Sequence, residues 1–325
     1  MSDLVDKLRI SLKEIMGIRK GEVALIVYDE YAKDVCDITG KALEREGVTV
    51  YEYLLPESQR PLMSTPDDLT ELLGMARPDL VFNQMKGIAE ETPFRIGLHC
   101  EESMDGARVG HSPDIDMSMI EHAMTADFKD IKKKAEKLKK RFHGVNTVRV
   151  TTAAGTDISF NIEGRGFSDD LSIKKGRAGN LPAGEIWCAP VEHSMNGKIV
   201  CDGSIGDLGR VKEPLIIMVK NGRIESLESL DAEMSAEVDR LIHVDDDASL
   251  VGEFGIGLNP KARLTGLMLE DEKAAGTVHI AFGQNTDMIG GQNNSMTHRD
   301  FLFTRPDIVT DSGEVIMKNG ILQGR

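Results

Sequence analysis

Apolar positions up to about residue 145 fall into two alternating rhythms. Leu4, Leu8, Leu12, Ile15 and Met16 recur every three to four residues and predict an opening helix, ended by Gly17 and Gly21. The run 22–28 (EVALIVY) is almost continuously apolar and rich in branched residues, as in a strand buried on both faces. Asp29 suits the cap of a second helix reaching about Glu46 and stopped by Gly47. Residues 48–55 read as a strand, 67–75 as a helix and 79–83 (DLVFN) as a short strand. Strands alternating with helices at this spacing predict a parallel sheet covered by helices. The stretch 99–111 (HCEESMDGARVGH) follows neither rhythm and reads as a loop, with His99 and His111 as loop or packing residues rather than ligands.

Past Gly144 the period shortens to two. Val148 and Val150, then Ile158, Phe160 and Ile162, alternate with polar residues around an Ala-Gly-Thr-Asp turn, which predicts a hairpin. Further strands are expected at 198–201, at 215–220, and at 223–227 after the Asn221-Gly222 turn, with a helix over 231–241. The expected architecture is therefore α/β: an N-terminal α/β domain with a parallel sheet (1–145) and a C-terminal mixed α/β domain rich in antiparallel hairpins (146–325).

Charge narrows the class of partner. Against 39 basic residues stand 54 acidic ones, a formal net charge of -15, the opposite of the basic surface that neutralises nucleic-acid phosphates. The one basic run, 132–141 (KKKAEKLKKR), has Phe128, Ile131, Ala135, Leu138 and Phe142 at helical spacing, so its lysines read as the solvated face of a helix. The 4 cysteines are too few and scattered for a disulfide framework or a zinc knuckle. No apolar h-region opens the chain and no run is long enough to span a bilayer, which leads to the expectation of a cytoplasmic protein with no membrane partner.

Candidate chemistry gathers in the second half. The stretch 276–300 carries His279 in an apolar run, then a glycine-rich turn, then the His-x-Asp pair His298 and Asp300. On an extended strand, side chains two apart share a face, so both members of the pair can reach one ion. Two imidazoles and a carboxylate suit a divalent metal. Taken alone, the pattern fits a core histidine and two surface residues equally well. Glu185 and Glu253 each sit in an apolar, glycine-flanked setting where an unpaired carboxylate is costly, and no Lys or Arg lies nearer Glu253 in sequence than Lys261. A metal ion or a distant basic side chain would relieve either. Glu272 and Asp287 are candidates to orient metal histidines, His193 for a surface or supporting place, and Asp245–Asp247 for a solvated turn. There is no Gly-x-Gly-x-x-Gly after the first strand and no Gly-Lys-Ser/Thr loop to cradle a nucleotide.

Four blocks in order carry a family resemblance: LPAGEIWCAPVEHSMNGKIVCDGS at 181–204, GEFGIGLNP at 252–260, EKAAGTVHIAFG at 272–283 and SMTHRDF at 295–301. Together they resemble the aminopeptidase T and aminopeptidase S family of metallopeptidases. The resemblance implies a cocatalytic site of two divalent ions (Zn, Co or Mn) held by Glu185, Glu253, His279, His298 and Asp300, with Glu185 or Glu253 moving a proton. It also implies a short peptide or small amide as substrate, cleaved at its N-terminus, and a homodimer. One departure stands out. The family places a tyrosine shortly after the first histidine, where it can hydrogen-bond an oxyanion. Here 283–288 reads GQNTDM, all four tyrosines lie in the first 53 residues, and Asn285 or Thr286 is the candidate substitute.

Two other readings stay open. The dihydroxypyridine ring-cleaving dioxygenases are similar in fold to these aminopeptidases, and imply one non-haem Fe(II) held by His279, His298 and Asp300. Such a site has no need of Glu185 and Glu253 as ligands. A metal-stabilised, non-catalytic scaffold would show no open coordination position.

Overall fold

The computed structural model describes residues 2–104 and 106–324. The chain divides into two compact units, one made of residues up to Asp130 together with Asp170–Ala183, the other of Ile131–Asp169 with Gly184–Arg325. The chain thus leaves the first unit and returns to it, a re-entry that a single boundary near 145 does not contain.

In the first unit, β1 (Val23–Tyr28), β2 (Thr49–Leu54), β3 (Leu80–Met85), β4 (Arg108–Pro113) and the re-entrant strand Arg177–Asn180 form one five-stranded sheet. Its order is β2-β1-β3-β4 and then the re-entrant strand, every pair parallel. The longer helices are α1 (Ser2–Met16), α2 (Lys33–Arg45), α3 (Asp67–Ala76) and α4 (Thr92–Met104). The apolar face of α1 is buried at Val5, Leu8, Leu12, Ile15 and Met16, as its period dictates. Asp29 caps the turn before α2, its carboxylate accepting from the Ala32 amide at 3.1 Å. One core joins Val27, Val81 and Val109 of the sheet to Leu69, Leu73 and Phe94 beneath α3 and α4.

The expected loop over 99–111 is an error of the sequence reading. His99 lies in α4 and His111 in β4, their rings in edge contact with centroids 4.2 Å apart. The signal was hidden because α4 turns polar groups inward. Glu102 is buried and accepts from Asn83 Nδ2 at 2.8 Å, so the usual apolar stripe is interrupted.

The second unit holds two antiparallel sheets. An eight-stranded sheet includes the expected hairpin, Thr147–Thr151 against Asp157–Asn161. It also includes the pair Leu215–Lys220 and Arg223–Glu228, joined by Asn221 and Gly222 at φ 49 and 76. Positive φ at both central residues is what a tight hairpin turn needs, and Asn-Gly supplies it at small cost. The lysine-rich helix is Phe128–Phe142, with Phe128, Ile131, Ala135, Leu138 and Phe142 buried. The seven-stranded sheet carries four neighbours in the order His298–Thr304, Thr277–Gly283, Val251–Gly257, Glu185–Cys188. One of its faces is apolar: Phe254 packs on Phe160 and Phe167 at 4.9 and 6.2 Å between ring centroids. The other face bears the candidate ligands. Among the described residues no helix is long and apolar enough to cross a membrane.

Candidate metal centre

Register brings the five expected residues together. Antiparallel pairing sets Glu185 opposite Gly257, His279 opposite Gly255, Asp300 opposite Ala281 and His298 opposite Gly283, while Glu253 also faces Ala281. Directly paired residues point to the same side of a sheet, so all five project from one face. Each is opposed on one side by glycine or alanine, His279 having Leu302 on its other side. The spacing of small residues in GEFGIG and HIAFG thereby clears the volume that the long side chains fill. At Gly255 the clearance is essential, because a Cβ there would overlap the imidazole of His279.

The donor atoms converge. His279 Nε2 stands 3.1 Å from Glu253 Oε1 and 3.4 Å from Glu185 Oε2. His298 Nε2 stands 3.2 Å from Glu253 Oε2 and 3.6 Å from Asp300 Oδ1. His298 Nδ1 meets the Gln284 carbonyl oxygen at 2.7 Å, a geometry that puts the proton on Nδ1 and turns Nε2 to the carboxylates. Three overlapping sets each have donor atoms within 4.8 Å of one another: Glu185, Glu253, His279; Glu253, His298, Asp300; and Glu272, His279, Asp300. Glu253 belongs to the first two. Glu185, Glu253 and His279 are buried, and His298, with 30% of its side chain exposed, is the open side of the set.

Electrostatics follow from packing four carboxylates into a small volume. Burial disfavours charge on His279, but Glu253 and Glu185 outweigh it and lift the imidazole to about 10. His298 is likewise held well above the usual histidine range, by Asp300 and Glu253 against its burial. Burial works to raise Asp300, yet the neighbouring His298 takes it below the ordinary carboxylate range. Excess negative charge collected around two imidazoles is the donor set of a divalent cation, and the cleared face gives it room. The residues fit a metal centre.

Sequence reasoning missed Lys273. Its ammonium is fully buried and bonds both Glu185 Oε1 and Glu272 Oε1. The distant basic partner considered for the glutamates therefore exists for Glu185, 88 positions away in sequence, which is why a search of near neighbours cannot find it. The segment that delivers it is tied down by Asp271, which accepts from the Thr265 and Gly266 amides at 2.6 and 2.9 Å. Of the lesser candidates, Glu272 joins the site while Asp287 and His193 lie exposed. Asn285 is no oxyanion donor. It is fully buried, its amide nitrogen on the Gly252 carbonyl at 3.0 Å and its oxygen accepting from the Asn293 amide at 2.8 Å. Thr286 is exposed and accepts from Gln284 Nε2 at 2.8 Å.

A parallel-sheet unit and antiparallel sheets bearing a histidine-carboxylate cluster define a mixed α/β fold with a candidate metal centre. Residues 101–324 match the family described as NicX: 2,5-dihydroxypyridine 5,6-dioxygenase, and the chain belongs to that family. Among solved structures it is similar to the 2,5-dihydroxypyridine dioxygenase of Pseudomonas putida KT2440, at 19% identity and TM-score 0.76, covering 100% of this chain and 98% of the other. It is similar also to wild-type AmpT from Thermus thermophilus, at 17% identity and TM-score 0.74, covering 99% of each chain. At these identities the likeness shows the fold alone. No match is found among curated proteins.

Proposed function

We propose that this protein is a metal-dependent hydrolase that removes N-terminal residues from short peptides or cleaves related small amides. The observation that carries this reading is the sharing of Glu253 by two adjacent donor sets, each with its own histidine and a further carboxylate. Such sharing would suit two neighbouring cations with one carboxylate in common. Divalent ions bound there would supply an acidified water and polarise the scissile carbonyl. Glu253 presents one oxygen to each imidazole and is committed to the shared position. Glu185 would give its donor set only the oxygen beside His279, and its other oxygen, on Lys273, is the one placed to move a proton. His298 marks the accessible side, where a substrate amine would approach.

Family membership favours a second reading, a ring-cleaving dioxygenase with a single Fe(II). Lys273 supports it, because Glu185 and Glu272 already share a buried cation and the remaining donors suffice for one ion. Metal content per chain, measured on protein purified without chelator or air and then titrated with zinc, cobalt, manganese and ferrous iron, separates the two. Two ions lost together in Glu253→Gln, with hydrolysis of free but not N-acetylated short peptides, is the result expected. A single ferrous ion indifferent to Glu253→Gln, with oxygen uptake on dihydroxypyridine, would replace the hydrolase by the oxygenase.

A further inference from the structure

His298 is the expected histidine that stands on a strand's first residue, beside a long loop, where a partner outside the ladder can fix its ring. Its Nδ1 partner, the Gln284 carbonyl, opens the loop 284–297. The ends of that loop are held locally: the Gln284 amide donates to the Thr297 carbonyl at 2.7 Å, and Asp245 accepts from Ser295 Oγ and the Met296 amide at 2.9 and 2.7 Å. Its middle is held from a distance by a buried ion pair, Arg165 with Glu192, at 2.7 Å. Glu192 Oε1 accepts from the Gln292 amide at 2.8 Å and from Asn285 Nδ2 at 3.4 Å, while Arg165 donates to the Gly290 carbonyl. Asn285 in turn bonds the Gly252 carbonyl, one residue before Glu253.

The geometry points to the Arg165–Glu192 pair as a positioning device for the metal centre, acting through Asn285 and the Gln284 carbonyl on His298 and Glu253. Neither residue touches the donor atoms. A buried ion pair is weakly stabilising at best against an apolar replacement, so its attachment to three points of one loop is better explained by the conformation it selects. The loop carries Gly290 and Gly291 in its middle, and glycines leave a segment many conformations unless it is tied. Misplacing the Gln284 carbonyl would free His298 to rotate or change tautomer, and groups that orient metal histidines in this way are worth about 10- to 100-fold in metal affinity. The affinity argument rests on the metal-centre reading; the orientation of His298 does not.

The test uses the full chain, with Glu192→Ala and the volume-preserving Glu192→Gln. Two readouts are taken. One is the exchange-protected Nδ1–H proton resonance of His298, assigned by its loss in His298→Gln; the other is zinc affinity by chelator competition. Arg141→Ala, which removes bonds to Glu314 and to the Val315 and Gln323 carbonyls, serves as a control for general destabilisation. Glu192→Ala is expected to broaden or lose the resonance and to weaken zinc about 10- to 100-fold, with partial recovery in Glu192→Gln. Arg141→Ala should lower the melting temperature and move neither readout. An unchanged resonance and unchanged affinity in a folded Glu192 variant would overturn the proposal. Should Glu192→Ala fail to fold, Glu192→Gln decides by the same two measurements. Absence of zinc binding in the unmodified protein would remove the metal centre, and the resonance alone would then decide this inference.

Discussion

At the scale of single residues, two side chains set the character of the centre. Gly255 leaves the space in which the His279 ring lies, so Gly255→Ala forces ring or strand to move. Overpacking of this kind costs about 1–3 kcal/mol, and here it also displaces a ligand. The expected result is a lower urea midpoint together with lost metal, read by denaturation and metal content on the same preparation. Lys273 pairs with two glutamates from a fully buried position. Lys273→Met leaves Glu185 and Glu272 without that ammonium. Breaking a buried pair from one side costs about 3–5 kcal/mol, so the variant should unfold at markedly lower denaturant, and equal stability would show that the lysine matters little to the fold.

Two elements lend themselves to separate tests. The Asn221-Gly222 turn joins two strands of one sheet, and the Gly222 carbonyl accepts from the Val251 amide at 2.8 Å, at the start of the strand carrying Glu253. Gly222 has φ 76, and a Cβ on it would run into the Glu192 carbonyl. Gly222→Ala should therefore cost more than the usual 1 kcal/mol or so of a left-handed alanine. A loss below that, measured in urea, would mean the turn relaxes freely.

In the first unit, α4 supplies a pH dependence. Burial pushes the Glu102 carboxyl up to about 8 and the His99 imidazole down to about 4. Because the folded Glu102 holds its proton longer than the unfolded chain does, its contribution is present at low pH and is lost as pH rises towards about 8. His99 works the other way, losing stability as pH falls below its ordinary 6.5 towards about 4. Glu102→Gln keeps a group able to accept from Asn83 and removes the first effect. Relative to the unmodified protein it should gain about 2 kcal/mol between pH 6.5 and 8, a slope of about 1.4 kcal/mol per unit. Parallel stability curves across that range would show that Glu102 is ionised in the folded state.

For the whole molecule, bound metal should appear as stability. A ligand that binds only the folded chain adds about 4 kcal/mol when present at a thousand times its dissociation constant. Chelation should lower the melting temperature of the protein, with the shift abolished in His298→Ala and restored in the unmodified chain by adding the metal back. A homodimer, implied by the family resemblance, is tested by light scattering at several concentrations.

Much of the architecture is readable along the chain. A period-3.6 run placed α1, a continuous apolar run β1 and an Asn-Gly turn the hairpin at 221–222, because local burial rhythm and turn chemistry do not depend on distant partners. Glu185 and Glu253 were legible because carboxylates in apolar, glycine-flanked strands require an explanation, His279, His298 and Asp300 as a histidine followed by a His-x-Asp pair, and the five as one set through the family resemblance. How they meet depends on the folded sheet. Register opposed each candidate ligand on one side to a glycine or alanine, and strand order set four separate segments side by side. The tertiary structure alone revealed Lys273 beside Glu185, the commitment of Asn285 to backbone partners, and the Arg165–Glu192 hold on the loop. It alone placed His99 on a helix, since α4 buries polar side chains and so lacks the pattern that announces one. The physical reason is common to all of these. Pairing partners for buried charges are chosen in space, and sequence separation carries no record of the choice.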